Sequence, residues 1–229
     1  MPRARPSTQE PWQTAASPNG GGCLSLSSLP LFAVVLIACL LTALSFNAPF
    51  PTAAEASQLN VTASTSLSPI FTREVQYWAR DILRWANASS LDPNLVAVVM
   101  QIESCGDPFA RSSAGAMGLF QVMPFHFQAG ENPYQPEINA QRGLDYLARS
   151  LTASHGNVRL ALAGYNGGIG VIARGEWTWS AQTLRYVYYG APIYEDARNG
   201  ATSSPALEEW YRRYGAGLCR QASRRLGIE

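Results

Sequence analysis

Lysine is absent from this chain of 229 residues, so all 17 of its basic residues are arginines. The 16 acidic residues nearly balance them, and the formal net charge is +1. This balance gives no sign of the strongly basic charge with which nucleic-acid-binding proteins attract the phosphate backbone. We therefore predict no nucleic-acid partner. We attribute the missing lysine first to a bias in genomic composition and only second to function.

Histidine is also scarce, with His126 and His155 as its two occurrences. Neither stands at a spacing from cysteine that is typical of a metal site. We predict neither a metal nor an organic cofactor, and we assign both histidines to surface or loop positions. A convincing alternation of polar and apolar residues is missing as well, whereas apolar residues recur at helical spacing. The predicted fold is therefore mainly α.

Long apolar runs are rare, with one exception near the N-terminus. Residues 29–46 are almost continuously apolar, which reaches the lower limit of length for a membrane-spanning helix. Two arginines precede this run and no basic residue follows before Arg73, so the N-terminus is expected in the cytoplasm and the rest outside. An A-x-A-like sequence at residues 54–56 also fits cleavage of a signal peptide. A retained anchor and a cleaved signal both stay open.

The composition divides the chain into four parts. Residues 1–28 are rich in Pro, Ser, Thr and Gly and are predicted to be a disordered tail. Residues 29–46 are the transmembrane or signal segment, and residues 47–68 form a second Pro/Ala/Ser/Thr-rich stretch that reads as a linker. Residues 69–229 form the folded domain.

Capping residues and apolar spacing locate the helices of this domain. Asp92 is predicted to cap a helix that ends at Glu103. A short helix is predicted after Ser180 through Val187, and one long helix over residues 206–226. All three predictions come from local patterns alone.

Glu103 places a carboxyl group at the end of an apolar run, residues 95–102. Partial desolvation disfavours the charged form of an acid and raises its pKa. An acid of this kind suits proton donation near neutral pH. The alternative is a solvated charge at a helix end, and the residues that follow favour the first interpretation.

Four short motifs follow one another along the chain. They are Glu-Ser at 103–104, a serine at 112 with Gly-Ala-Met-Gly-Leu-Phe-Gln-Val-Met-Pro at 115–124, Ala-Gly-Tyr-Asn-Gly-Gly at 163–168, and Thr-Leu-Arg-Tyr-Val at 183–187. Together, and in this order and spacing, they resemble the lytic transglycosylase family with the soluble-transglycosylase, goose-lysozyme-like catalytic domain. The resemblance covers residues 69–194 and implies a lysozyme-like helical domain that acts on the glycan strands of peptidoglycan.

The resemblance implies a role for several side chains. Glu103 is the catalytic acid and base, and Tyr186 is the second catalytic residue, whose phenol orients the carboxyl group of Glu103. Ser113 stands beside Ser112, and the choice between the two hydroxyls stays open. The implied substrate-binding residues are Ser112, Gln121, Met123, Tyr165 and Asn166.

This sequence departs from the family pattern at four positions, one of which is Gly167 in place of the usual alanine before Gly168. Gly164 replaces the usual alanine before the tyrosine, and Phe120 replaces the usual methionine before the glutamine. Gln182 stands where the family has a glutamate, which removes whatever that acid contributes.

Most glycosidases pair the acid with a second carboxylate. Asp107 is the acid nearest to Glu103 in the sequence, but it precedes Pro108 in a turn, where aspartate commonly makes local hydrogen bonds. Without a second carboxylate, the resemblance implies that the C6 hydroxyl of the substrate closes onto C1 and gives a 1,6-anhydro product. Alternatives are a hydrolytic lysozyme- or chitinase-like enzyme and a non-catalytic glycan-binding module of an envelope assembly.

Cys105 and Cys219 both follow the predicted membrane segment, in the exported part of the chain where disulfides persist. We predict a bridge between them, with two unpaired buried thiols as the alternative. Among the tryptophans, Trp177 and Trp179 are the two candidates to line a cleft. The predicted protein is a monomer of the bacterial cell envelope, held at the membrane by its N-terminal segment or secreted after cleavage.

Overall fold

A buried helix, α3 (Pro93–Glu103), lies at the centre of the region that this computed structural model describes, residues 66–229. Every residue of α3 from Pro93 to Gln101 is buried, so the helix needs neighbours on all sides. The side chain of Asp92 accepts a hydrogen bond of 2.8 Å from the backbone N–H of Asn94 and caps the helix as predicted. The predicted end at Glu103 is also confirmed.

Helices account for the regular structure of the described region, which has isolated β-bridges but no named strand. The prediction of a mainly α fold is therefore confirmed. Short 3₁₀ turns cover Pro124–His126, Ile169–Val171 and Glu176–Thr178, and a π-helical turn covers Tyr211–Gly215. The α-helices are α1 (Arg73–Tyr77), α2 (Ala79–Ala88), α3, α4 (Pro136–Ala153), α5 (Val158–Gly167), α6 (Ala181–Arg198), α7 (Pro205–Trp210) and α8 (Ala216–Leu226).

Helix α6 is much longer than the short helix predicted through Val187, because it continues through Pro192 to Arg198. Proline usually ends or kinks a helix, since it lacks an N–H donor. Here the buried face of α6 extends beyond Pro192 and includes Ile193 and Ala197. At Gly190, a Cβ atom would lie only 3.1 Å from the Leu162 side chain, so α6 packs closely on α5. Tertiary packing therefore maintains the helix where local preference would end it.

The long helix predicted over residues 206–226 is confirmed in extent, but a π-helical turn within it separates α7 from α8. Gly215 ends this turn directly against the Trp210 ring, and a Cβ atom at this position would lie 2.4 Å from the ring. Turns of this kind are rare and often occur at functional sites. Apolar spacing alone does not reveal such an insertion.

The predictions for the tail at 1–28, for the transmembrane or signal segment at 29–46 and for most of the linker at 47–68 lie outside the described residues. Within residues 66–229, no helix combines the length and the apolar character that crossing a bilayer requires.

Cys105 and Cys219 lie face to face, with their Cα atoms 5.0 Å apart, a separation that suits a disulfide. Both are fully buried, and the side-chain amide of Gln101 lies 3.1 Å from the sulfur of Cys105. A bond here would join α8 to the residues that directly follow Glu103. The bridge in the isolated protein stays a prediction.

Replacing both cysteines by serine is expected to lower the free energy of unfolding by about 2–4 kcal/mol, because the bridge closes a long loop in the unfolded chain. Urea unfolding of the oxidised protein with and without reductant measures the effect, and the double variant should not respond to reductant. Peptide mapping under non-reducing conditions that finds two free thiols would contradict the prediction.

Candidate active site

Glu103 ends α3 in a half-buried position and lines two neighbouring cavities. The first cavity has a volume of about 320 Å³ and the second of about 200 Å³. Asn166 of α5 and Gln182 of α6 line both cavities together with Glu103. A long ligand in this groove would therefore pass the carboxyl group of Glu103.

Burial is the largest influence on Glu103, and it raises the pKa of this carboxyl group to about 8. The nearby Tyr186 hydroxyl acts in the opposite direction and lowers the pKa in part. The side chain of Glu103 is therefore mostly protonated at neutral pH, as a proton donor must be. The structure thus agrees with the prediction from the sequence that Glu103 is partly desolvated.

Tyr186 reaches the second cavity from α6. Its hydroxyl is buried and close enough to the Glu103 carboxyl group to shift its pKa, but the two groups do not complete a hydrogen bond of normal geometry. A buried hydroxyl without a partner is costly and rare. Burial followed by the charge of Glu103 raises the pKa of Tyr186 well above its ordinary value, so its hydroxyl stays a neutral donor. An ionised Glu103 or a substrate oxygen would supply the missing acceptor.

The loop after α3 forms one wall of the first cavity and is held by side chains from other elements. Ser104 donates a hydrogen bond of 2.7 Å to the carbonyl of Leu119. Asn139 of α4 accepts from the N–H of Phe120 at 2.9 Å and donates to the carbonyl of Met117 at 2.8 Å. At Gly118, with a φ of 75°, a Cβ atom would lie 2.3 Å from the Asn139 amide. Glycine is thus needed at 118 for backbone conformation and for space.

Ser112 lines the first cavity, whereas Ser113 is exposed and is not among its lining residues. The hydroxyl oxygen of Ser112 accepts a hydrogen bond of 3.0 Å from the backbone N–H of Ala116, so it also shapes the loop. Of the two serines left open by the sequence, Ser112 therefore has the better position for substrate contact. Its role in binding stays a prediction.

Gln121 and Met123 line the same cavity. The side-chain N–H₂ group of Gln121 donates to the carbonyls of Ala110 and Gly118 at 3.2 and 3.0 Å. The amide oxygen of Gln121 makes no hydrogen bond in the described region, and a sugar hydroxyl or amide is a suitable donor for it. Met123 adds an apolar surface to the same wall.

Tyr165 and Asn166 reach the cavities from the end of α5. The Tyr165 hydroxyl donates a hydrogen bond of 2.7 Å to the carbonyl of Phe120, so part of its function is to hold the loop. The carbonyl oxygen of the Asn166 side chain accepts from the Thr183 hydroxyl at 3.1 Å, which links α5 to α6. The structure thus brings all seven predicted site residues to two adjoining cavities, and their roles stay predictions.

Close packing explains why residue 164 is a glycine instead of the usual alanine. A Cβ atom at this position would lie 2.3 Å from the Ser150 hydroxyl oxygen and 2.6 Å from Ile172. Ser150 in turn donates a hydrogen bond of 2.7 Å to the carbonyl of Ala161. A serine of α4 therefore occupies the volume that an alanine at 164 would need.

His126 and Tyr146 also line the first cavity, although no sequence motif pointed to either. Their ring centroids lie 4.8 Å apart. Burial and then the charge of Arg149 lower the pKa of His126, which favours a neutral ring. His126 thus lies in a loop, as predicted, but the sequence did not indicate that this loop forms the cavity wall.

The prediction that Trp177 or Trp179 lines the cleft is wrong for these cavities. Trp177 is 89% exposed, and Trp179 is buried with its ring N–H donating to the carbonyl of Val171 at 3.1 Å. Trp210 lines the second cavity instead. Flanking polar residues suggested exposure, but they did not indicate which surface the ring faces.

Asp107 does not belong to either cavity. Its buried carboxylate accepts hydrogen bonds from the side chains of Gln221 at 2.7 Å and Arg225 at 3.0 Å, both in α8. Asp107 therefore has the structural, hydrogen-bonding role that its position in a turn predicted. Among the described residues that line the two cavities, Glu103 is the one acid.

One group within residues 66–229 brings potential metal ligands together, namely Glu74, Cys105 and Cys219. Bonding between the two sulfurs would remove the thiolates that bind a metal ion. This group is therefore better suited to a disulfide than to a metal.

Residues 81–183 match the model of the transglycosylase SLT domain family. A transglycosylase of Enterobacteria phage PRD1 is 37% identical over 115 residues, which are 49% of this chain and 40% of the phage protein. The membrane-bound lytic murein transglycosylase E of Buchnera aphidicola subsp. Acyrthosiphon pisum is 33% identical over 66 residues, 29% of this chain and 28% of that protein.

The X-ray structure of an inactive mutant of lytic transglycosylase Slt from Pseudomonas aeruginosa has 25% sequence identity and a TM-score of 0.43. The alignment covers 52% of this chain and 24% of that one. This chain thus spans less than half the length of each of these relatives. The family match includes Glu103 and the loop that forms the first cavity. Residues 81–183 of this chain are therefore similar to the transglycosylase SLT domain.

Proposed function

We propose that this protein is a peptidoglycan lytic transglycosylase that cleaves the β-1,4 bond between N-acetylmuramic acid and N-acetylglucosamine. One observation carries the proposal: Glu103, with a pKa raised to about 8, is the one acid among the described residues that line the two cavities. The relatives named as transglycosylases support the same reaction.

In the proposed first step, the protonated Glu103 donates its proton to the glycosidic oxygen, and the bond from this oxygen to C1 breaks. The N-acetylglucosamine side leaves with a new hydroxyl group, and positive charge develops at C1 as in other glycosidases. The N-acetyl group of the substrate assists at C1, because no second carboxylate of the cavity walls is available to do so.

In the second step, the ionised Glu103 removes the proton of the C6 hydroxyl of N-acetylmuramic acid. The C6 oxygen then bonds to C1 and forms the 1,6-anhydro ring. Glu103 is protonated again, so one side chain acts in turn as acid and as base. Tyr186 would donate a hydrogen bond to the carboxylate between the two steps, which is the state in which its buried hydroxyl gains a partner.

Hydrolysis by the usual pair of carboxylates is less well supported. Asp107 is bound to α8, and Gln182 lines both cavities with an uncharged amide where the family pattern has an acid. A water molecule activated by Glu103 itself would still give hydrolysis. The end group of the product separates these two reactions.

Mass spectrometry of sacculi digested by the purified protein tests the proposal. We expect 1,6-anhydromuropeptides, which are lighter by one water molecule than the reducing-end products of a hydrolase. Glu103→Gln serves as the matched control and should release neither product. Reducing-end products would identify a hydrolase, and binding to sacculi without cleavage would identify a glycan-binding module.

We further propose that the protein acts as a monomer on glycan strands in the bacterial cell envelope. The relative from Buchnera aphidicola is named as membrane-bound, and residues 29–46 are apolar enough for an anchor or a signal peptide. Fractionation of cells that express the full chain, with N-terminal sequencing of the mature protein, tests anchoring against secretion.

A further inference from the structure

The second cavity carries a cation that the proposed reaction does not use. Arg185 lines this cavity together with Glu103, Tyr186 and Tyr214. It is the one basic residue among the described residues that line either cavity beside Glu103, apart from the neutral ring of His126. Its side chain therefore lies where one end of a bound strand would pass.

The guanidinium group of Arg185 lies over the ring of Tyr214, 5.1 Å from the ring centroid. Tyr214 belongs to the π-helical turn, and its ring contacts the Tyr189 ring at a centroid distance of 5.8 Å. A cation over an aromatic face is held in place, while the donor N–H groups at its edge stay accessible. The interruption between α7 and α8 thus supplies a platform for Arg185.

Arg185 forms no ion pair within residues 66–229, although acidic residues occur nearby. Glu209, whose charge acts on Tyr189, already pairs with Arg213 at 2.8 Å. Glu103 is the one acid lining the same cavity, and burial favours its neutral form. The exposed Arg185 therefore offers an uncompensated positive charge in the groove.

The glycan strands of peptidoglycan differ from neutral amino-sugar polymers in carrying carboxylates. Each N-acetylmuramic acid has a lactyl group whose carboxyl is either free or joined to a peptide that has carboxylates of its own. Arginine binds carboxylates through two parallel hydrogen bonds. We propose that Arg185 binds a carboxylate on the substituent of an N-acetylmuramic acid unit and thereby selects anionic strands over neutral ones.

This inference rests on the proposed function, and binding measurements separate the two. Glu103→Gln serves as the parent protein because it should bind strands without cleaving them. The ligands are soluble peptide-bearing strands and strands freed of peptide by an amidase, each also prepared with its carboxyl groups converted to neutral methylamides. Comparison within each pair reveals whether a stem carboxylate or the lactyl carboxylate is bound.

Titration calorimetry should show that the parent binds at least one anionic strand about tenfold more tightly than its neutral partner, as expected for a charge-assisted hydrogen bond near the surface. Adding Arg185→Gln should abolish this difference, and Arg185→Lys should retain part of it. Arg212→Gln is the matched control, since Arg212 is exposed and does not line either cavity. With Glu103 intact, Arg185→Gln should raise KM and leave kcat nearly unchanged.

Equal binding of both members of each pair by the parent would overturn the role of Arg185, and so would an unchanged preference after Arg185→Gln. In either case the formation of anhydro products by the unaltered enzyme would still support the proposed function. Failure of the parent to bind any of the four preparations would also overturn the role of Arg185, and the product analysis of the unaltered enzyme would decide the proposed function separately.

Discussion

Glu103→Gln is expected to lower kcat for peptidoglycan cleavage by about 10³-fold or more, since the amide can neither donate nor accept the proton that both steps require. The shape of the side chain is almost unchanged, so binding of glycan strands should persist. Release of soluble muropeptides measures the rate, and calorimetry measures the binding. Residual activity within tenfold of the unaltered protein would refute the assignment of Glu103.

The same substitution is expected to make the protein relatively more stable at high pH. The pKa of Glu103 is about 8 in the folded protein against an ordinary 4.5, so the folded state keeps a proton that the unfolded chain releases. The free energy of unfolding therefore falls as pH rises from about 4.5 to about 8. Glutamine does not titrate and escapes this loss.

Urea unfolding of both proteins at pH 4.5 and pH 8 tests this linkage. The stability of Glu103→Gln relative to the unaltered protein should rise by about 2 kcal/mol between the two pH values, after allowance for partial solvent contact. The change with pH is decisive, because an effect of packing alone would give the same difference in free energy of unfolding between the two proteins at both pH values. A constant difference would show that the folded protein does not hold Glu103 in its protonated form.

Tyr186→Phe is expected to have the second largest effect and to lower kcat by about 10- to 100-fold, the range for losing one hydrogen bond to a charged group. The phenol has no other hydrogen-bond partner in residues 66–229, so its removal should not weaken folding. The variant should therefore unfold at an unchanged or slightly higher urea concentration. Tyr188→Phe is the control, because Tyr188 lies on the same helix and is 61% exposed.

The pH profile distinguishes this role of Tyr186 from a merely structural one. Proton donation requires the protonated Glu103, so kcat/KM should decline as pH rises through about 8. Because Tyr186 lowers the pKa of Glu103, its removal should move this decline to higher pH while the maximum rate falls. A decline at the same pH in both proteins would mean that the phenol does not act on the carboxyl group.

Several features of the site follow from local sequence. The apolar run before Glu103 and the Asp92 cap together define a helix with an acid at its end, and both were visible without a structure. The short motifs at residues 115–124 and 163–168 likewise indicated the residues that line the first cavity. Such features are predictable because capping and desolvation act over one or two helical turns.

Other features depend on contacts between distant parts of the chain. From the sequence, Asp107 was a candidate for a second catalytic acid. In the structure its carboxylate is bound by Gln221 and Arg225 of α8, more than a hundred residues later in the chain. Pro192 would ordinarily end a helix, yet packing against α5 maintains α6 beyond it.

The sequence by itself indicated Glu103 as the candidate acid, a mainly α architecture and a resemblance to lytic transglycosylases, and residues 81–183 match the transglycosylase SLT domain. Only the tertiary structure decided which side chains share the two cavities with Glu103: the buried Tyr186 hydroxyl, the His126 and Tyr146 rings, and Arg185 over Tyr214. The physical reason is that helical spacing records local burial, whereas the walls of a cavity form where separate elements meet.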